Sequence, residues 1–176
     1  MSIKLSFLAG TVGAAKGIWK LKSGSTVEWP SDTQAGQGSA GVAQIVKSTK
    51  GAIAYVDLSD AKASGLKYGT VKNKAGKFVE PTPEGASAAG DGIQVKDNLT
   101  FSAIDAKGEK AYPITAQTWV IVYAKQSDKA KGEALKSYLS FLVKDGQSLL
   151  SDIDYAPLPK SLQQKAIAQV DKVKLP

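Results

Sequence analysis

The chain has 176 residues, 43% of them hydrophobic, and a net charge of +7 from 23 basic and 16 acidic side chains. It contains no Cys and no His, and every basic residue is lysine, which excludes thiol nucleophiles, thiolate or imidazole metal sites, a Ser-His-Asp hydrolase and the bidentate arginine grip on phosphate or carboxylate. No apolar run reaches the roughly 18 residues of a spanning helix, and the length suits one domain or two small lobes.

Met1 to Ala15 predicts a short amphipathic helix, with Ile3, Phe7 and Leu8 on one face, that frays at Gly17. The competing reading is a leader peptide, with Leu5 to Val12 as its apolar stretch and Gly13-Ala14-Ala15 as the small-residue site. That stretch is short and interrupted by Ser6, Gly10 and Thr11, so no convincing signal peptide is expected. Lys22 to Ser25 reads as a turn and Thr26 to Trp29 as a short extended piece, ended by Pro30. Ser31 to Gly38 is polar and small, and reads as a loop.

Ser39 reads as the N-cap of a helix closed by Gly51, and Ala52 to Val56 as a short buried strand. Asp57 to Ser64 predicts a second helix stopped at Gly65. Tyr68 to Val71 and Lys77 to Val79 predict a hairpin around Asn73-Lys74-Ala75-Gly76. Thr82-Pro83-Glu84 begins another helix, limited by Gly90 and Gly92. Residues 90 to 110 are polar, with an apolar stretch at Leu99 to Ile104.

Thr118 to Ala124 is the strongest strand signal. It is apolar on both faces and is expected at the centre of a covered sheet. Asp128 opens a long helix with Leu135, Tyr138, Leu139 and Leu142 as its stripe and Gly146 as its close. A shorter helix is expected around Gln147 to Leu150, then a rigid connector from Tyr155 to Pro159. The last helix runs from about Ser161 to Val173, with Leu162, Ala166, Ile167 and Val170 inward. Helices alternating with short strands predict an α/β class.

Few residues offer chemistry. Gly36-Gln37-Gly38-Ser39-Ala40-Gly41 has the G-x-G-x-x-G spacing and opens a helix. Gly38 and Ser39 are the weak ligand-binding candidates, because such a turn can present unpaired N–H groups to an anion. A dinucleotide site also needs a preceding buried strand and an acidic residue about 20 positions on. Asp57 stands near that distance, but a loop precedes Gly36. A glycine-rich entry to a structural helix is the favoured reading. Asp57 with Asp60, and Asp152 with Asp154, read as caps or turns rather than metal pairs. Trp29 beside Pro30 is read as packing rather than as a platform for a sugar or aromatic ligand. The lysines are scattered, so the positive charge attracts anions generally and makes no nucleic-acid surface.

Six phrases in order carry a resemblance. They are Gly24-Ser25-Thr26-Val27-Glu28-Trp29-Pro30, Gly36 to Val42, Lys50 to Val56, Ala75 to Pro81, Tyr112-Pro113-Ile114-Thr115, and Asp154 to Pro159. Their order and spacing resemble the second half of the periplasmic phosphate-binding proteins, the PstS family of ABC-importer solute receptors, from roughly Leu5 onward.

The resemblance implies part of a two-lobed type II periplasmic-binding-protein fold with incomplete lobes. Residues 1–80 would be the remnant of the second lobe, 81–111 a connecting segment, and 112–176 the returning strand and C-terminal helices of the first lobe. Tyr112-Pro113 would be a hinge element. The implied function is capture of inorganic phosphate for import, with an ABC permease as partner, outside the cytoplasmic membrane, and with no catalysis, cofactor or metal. The family's phosphate loop and its Arg would precede Leu5, where this chain has Met-Ser-Ile-Lys. A truncated form lacking most phosphate ligands is therefore expected. The alternative is an interaction fragment, either a swapped dimer or the partner of a separate N-terminal half.

Overall fold

The computed structural model describes residues 17–21 and 27–176. The expected helix over Met1 to Ala15 and the turn at Lys22 to Ser25 lie outside the described residues.

The helix starts follow local chemistry. Thr82 accepts a hydrogen bond from the Gly85 N–H at 3.1 Å, and Pro83 sits just inside helix α3, Pro83–Gly90. Asp128 does the same for Lys131 at 2.9 Å and opens α4, Lys129–Val143. Helix α2, Leu58–Ala63, ends at Gly65 with φ +66°. There Gly65 N–H donates to Lys62 O and Leu66 N–H to Ala61 O, the paired bonds of a Schellman close.

Helix α1 spans Gly38–Ser48 and departs from expectation at both ends. Its N-cap is Gln37, not Ser39, and no side chain caps it. It stops at Thr49, because Ala52 N–H closes a turn on Thr49 O around Gly51, at φ +80°. Strands β1, Val71–Lys72, and β2, Phe78–Val79, pair antiparallel with Val71 opposite Val79. Gly76, at φ +79°, makes the turn.

The long helix also ends earlier than the glycine signal. Helix α4 stops at Val143, and Gly146 lies buried in the 3₁₀ turn Asp145–Leu149. A Cβ on Gly146 would meet Phe141 O at 3.0 Å and the Phe141 ring at 3.2 Å, so close packing fixes glycine there. A second 3₁₀ turn, Ser151–Ile153, leads to helix α5, Lys160–Asp171.

Helix α5 packs on α4, and Leu162, Ala166 and Val170 of α5, Leu139 of α4 and Val173 are buried. Gln147 ties the connector down by donating to Leu142 O and accepting from Leu158 N–H, both at 2.7 Å. A second small core joins Ala89, Ala103 and Ala111, with Ile93 and Phe101 against it. Asn73, only 5% exposed, links the hairpin to this core. Its amide donates to Gly108 O, Glu109 O and Ala111 O, and its carbonyl accepts from Lys77 N–H.

The two expected buried strands are corrected. Among the described residues, Thr118 to Ala124 joins no ladder; Ile121 is 92% and Tyr123 86% exposed. Ala52 to Val56 likewise joins none, and Ile53 is 97% exposed. An apolar segment is buried only when strands pair with its edges and layers cover its faces. Among the described residues, the only pairing beside the first segment is a parallel bridge, Lys125 to Lys174, just past its end.

Candidate functional site

The glycine-rich entry to α1 is built by close approach. A Cβ on Gly36 would sit 2.5 Å from Gly41 C and Val42 N, so only glycine allows the loop to fold onto the first turn. Gly38 has φ +65° and open space around it. Ser39 is half-buried, and its hydroxyl donates to Asp57 Oδ2 at 2.9 Å while accepting the Asp57 N–H at 3.2 Å.

That pair determines what the turn can do. A carboxylate already stands beside the first turn of α1, where the helix dipole favours negative charge. An incoming anion would meet it as a like charge. Asp57 is turned to Ser39 rather than presented to a ribose, and among the described residues no strand leads into Gly36. The loop therefore has the spacing of a dinucleotide turn without its setting.

The other singled-out residues hold the fold. Asp57 occupies the N-cap position of α2 but makes no side-chain cap bond, because its carboxylate is taken by Ser39. Asp154, at φ +60°, pairs with Lys62 and so joins α2 to the 3₁₀ region. That contact raises the Lys62 ammonium pKa, chiefly through the hydrogen bond. Trp29 lies edge-on to Trp19, with ring centroids 5.8 Å apart, and 6.4 Å from Tyr55. Tyr112 N–H donates to Gly85 O, and Pro113 O accepts from Asp105 N–H, which fixes the expected hinge dipeptide against α3. Burial pushes the Tyr112 phenol pKa up. Among the described residues, no group of acidic side chains is arranged to hold a metal.

Two clefts were not foreseen. One, of about 190 Å³, has Lys96, Lys165 and Lys172 on its walls. Its 95–99 loop is held to α5 by Lys165 Nζ donating to Val95 O at 3.2 Å and by Gln169 donating to Asp97 O. The other, of about 520 Å³, lies between α3 and the Pro157–Pro159 connector, with Glu84, Asp91 and Lys160 on its rim. Neither includes Gly38 or Ser39. The spacing of Lys165 and Lys172, two helical turns apart, was the one available signal. It cannot show that a loop 70 positions upstream closes over them. No helix among the described residues is long and apolar enough to cross a membrane.

Comparison with known proteins gives these elements a common setting. Residues 10–145 match the PBP superfamily domain. The chain is 32% identical over 148 residues to a phosphate-binding protein PstS of Xylella fastidiosa, covering 82% of this chain and 40% of that protein. It is 37% identical over 145 residues to one of Methanocaldococcus jannaschii, covering 73% and 37%. It is 31% identical over 155 residues to one of Pasteurella multocida, covering 86% and 45%. The chain thus spans less than half the length of these relatives. The matches agree with an α/β, type II binding-protein fold whose lobe sheets are not completed among the described residues. With the family domain covering most of its length, this chain belongs to the PBP superfamily.

Proposed function

We propose that this chain serves in the capture of inorganic phosphate for import through an ABC permease, as a non-catalytic part of a solute receptor outside the cytoplasmic membrane. The similarity to several phosphate-binding PstS proteins, at 31–37% identity over most of the chain, is the observation that carries this reading. The net charge of +7 supports it, since such a field draws anions.

In this reading, residues 1–80 belong to one lobe, 81–111 connect, and 112–176 return to the other. The contact of Asp57 with Ser39 supports Gly38 and Ser39 as a structural helix entry rather than phosphate ligands. With no arginine in the sequence to grip the anion with a guanidinium, this reading assigns the tight phosphate ligands to the part of the receptor outside the match. Phosphate calorimetry on the 176-residue chain tests this. The heat of dilution alone is expected, and saturable low-micromolar binding would overturn the assignment of the ligands elsewhere. An exposed apolar strand-like segment favours a second aspect of the same reading, an assembly surface.

A further inference from the structure

We infer that the cleft between the 95–99 loop and α5 is a separate, low-affinity anion site that takes a phosphate oxyanion through three lysine ammoniums. It lies apart from the phosphate capture proposed above and does not rest on that reading.

The charge of the walls is the first observation. Lys96 comes from the loop, Lys165 from α5 and Lys172 from the end of that helix. Asp97 is the carboxylate among them, so three ammoniums stand against one negative group. Among the described residues, the ion pairs are Lys62 with Asp154 and Lys74 with Asp105, and none of the three cleft lysines is paired. Like charges gathered without counter-ions repel one another, and a bound anion relieves that repulsion. The negative end of the α5 dipole accounts for Lys172. It does not account for Lys96 or Lys165 on the same cleft.

The second observation is that the loop is held in place before any ligand arrives. Lys165 Nζ donates to Val95 O at 3.2 Å, and Gln169 donates to Asp97 O. Leu99 N–H donates to Lys96 O at 2.9 Å, and Lys96 N–H to Thr100 O at 3.1 Å. The Asn98 side-chain carbonyl accepts from both the Thr100 N–H and its hydroxyl. These bonds keep Leu99 at φ +65°, which an apolar L side chain adopts only under such constraint. Lys165 uses one of its three N–H donors on the loop, and two remain. An ammonium fixed in this way loses little freedom when an anion binds.

The volume selects the ligand. The cleft, of about 190 Å³, has room for about six waters at ~30 Å³ each. That suits a tetrahedral oxyanion with part of its hydration shell, and falls below the roughly 300–1,000 Å³ of drug-sized ligand pockets. No aromatic side chain stands on its walls to stack a base. Leu99 and Ala168 form the apolar part of the wall. The lysines act on a phosphate as point charges, the role this residue type fills without the arginine fork. Exposed ion pairs are individually weak, so a dissociation constant on the order of 1 mM is expected at low salt. Micromolar phosphate leaves such a cleft empty, which separates it from tight capture.

The test is amide NMR of the 176-residue chain at a constant ionic strength of about 30 mM. Sodium phosphate, glycerol phosphate and sodium chloride are titrated in turn. Saturable shifts at Lys96, Asp97, Leu99 and Gln169 with phosphate, absent with chloride, are expected. Shifts with glycerol phosphate as well mark a site open to phosphate esters on larger molecules; shifts with inorganic phosphate alone mark a site for the free ion. Lys96→Gln and Lys172→Gln should each weaken binding by about 3-fold and together by about 10-fold. Asp97→Asn should tighten it by about 3-fold, because it removes the like charge facing the anion. Lys47→Gln, an equal charge change on α1, should leave it unchanged. All four side chains are exposed, so the amide spectra away from the cleft should match the parent chain. The inference is overturned if about 10 mM phosphate causes no shift, or if chloride causes the same ones. It is also overturned if Lys47→Gln weakens binding as much as Lys172→Gln, or if Asp97→Asn fails to tighten it. A silent cleft removes this site alone and leaves the import reading standing, which is tested at micromolar phosphate.

Discussion

Ser39 and Asp57 satisfy each other: the serine hydroxyl donates to the carboxylate at 2.9 Å and receives the aspartate N–H at 3.2 Å. This contact ties the start of α1 to the start of α2 across 18 positions. It places a negative group at the turn that the glycine spacing had offered to an anion. Ser39→Ala should lower stability by about 1 kcal/mol, the usual net worth of such a bond. The phosphate response should not change. Urea unfolding and phosphate titration of the variant check both.

Asn73 is the more consequential polar residue. Its amide reaches three carbonyls of the 108–111 loop while its carbonyl holds Lys77. Asn73→Ala should cost about 2–3 kcal/mol, because buried carbonyls lose their donor. Asn73→Asp should be worse, since a carboxylate would face those oxygens. Thermal melts of the two variants, with hydrogen exchange in the hairpin, give the ranking.

Gly36 and Gly38 separate two reasons for glycine. At Gly36 a Cβ would strike the Gly41–Val42 backbone at 2.5 Å, and Gly36→Ala should cost about 2–3 kcal/mol through overpacking. At Gly38 the space is open but φ is +65°, and Gly38→Ala should cost about 1 kcal/mol. Equal losses on chemical denaturation would contradict the crowding at Gly36.

Alkaline pH should weaken the fold through Tyr112 and Lys62. Both groups have folded pKa values raised above their ordinary 10.0 and 10.5, Tyr112 by burial and Lys62 chiefly by its hydrogen bond to Asp154. Below pH 10 each is protonated in folded and unfolded chains alike, and their contribution to stability is intact. As pH rises past those ordinary values, the unfolded chain loses its protons first, so stability falls until the folded groups also titrate. Tyr112→Phe and Lys62→Met should each flatten part of that decline, as followed by unfolding midpoints from pH 9 to 12.

Much of the fold could be read from the sequence because its signals are local. The caps at Thr82 and Asp128, the stop at Gly65 and the turn at Gly76 each depend on a few neighbouring residues. Of the inward set read from the period of α5, Leu162, Ala166 and Val170 are buried and Ile167 is half-buried. What could not be read depends on distant partners. Asn73 meets its acceptors 35 to 38 positions away, and Lys62 meets Asp154 across 92. Thr118 to Ala124 has a central-strand composition, yet composition states only what would cover it, not whether the cover is present. Ser39 looked like a cap because serine often is one; the Asp57 carboxylate, supplied by the next helix, took its hydroxyl instead.

The most direct test is calorimetric titration of phosphate into a single-chain fusion of the 176-residue chain with the unmatched portion of the Xylella fastidiosa relative, with each part alone as a control. Saturable binding by the fusion, at low-micromolar affinity or tighter and with none in either part alone, is the predicted result. A folded fusion that binds no phosphate would contradict the account.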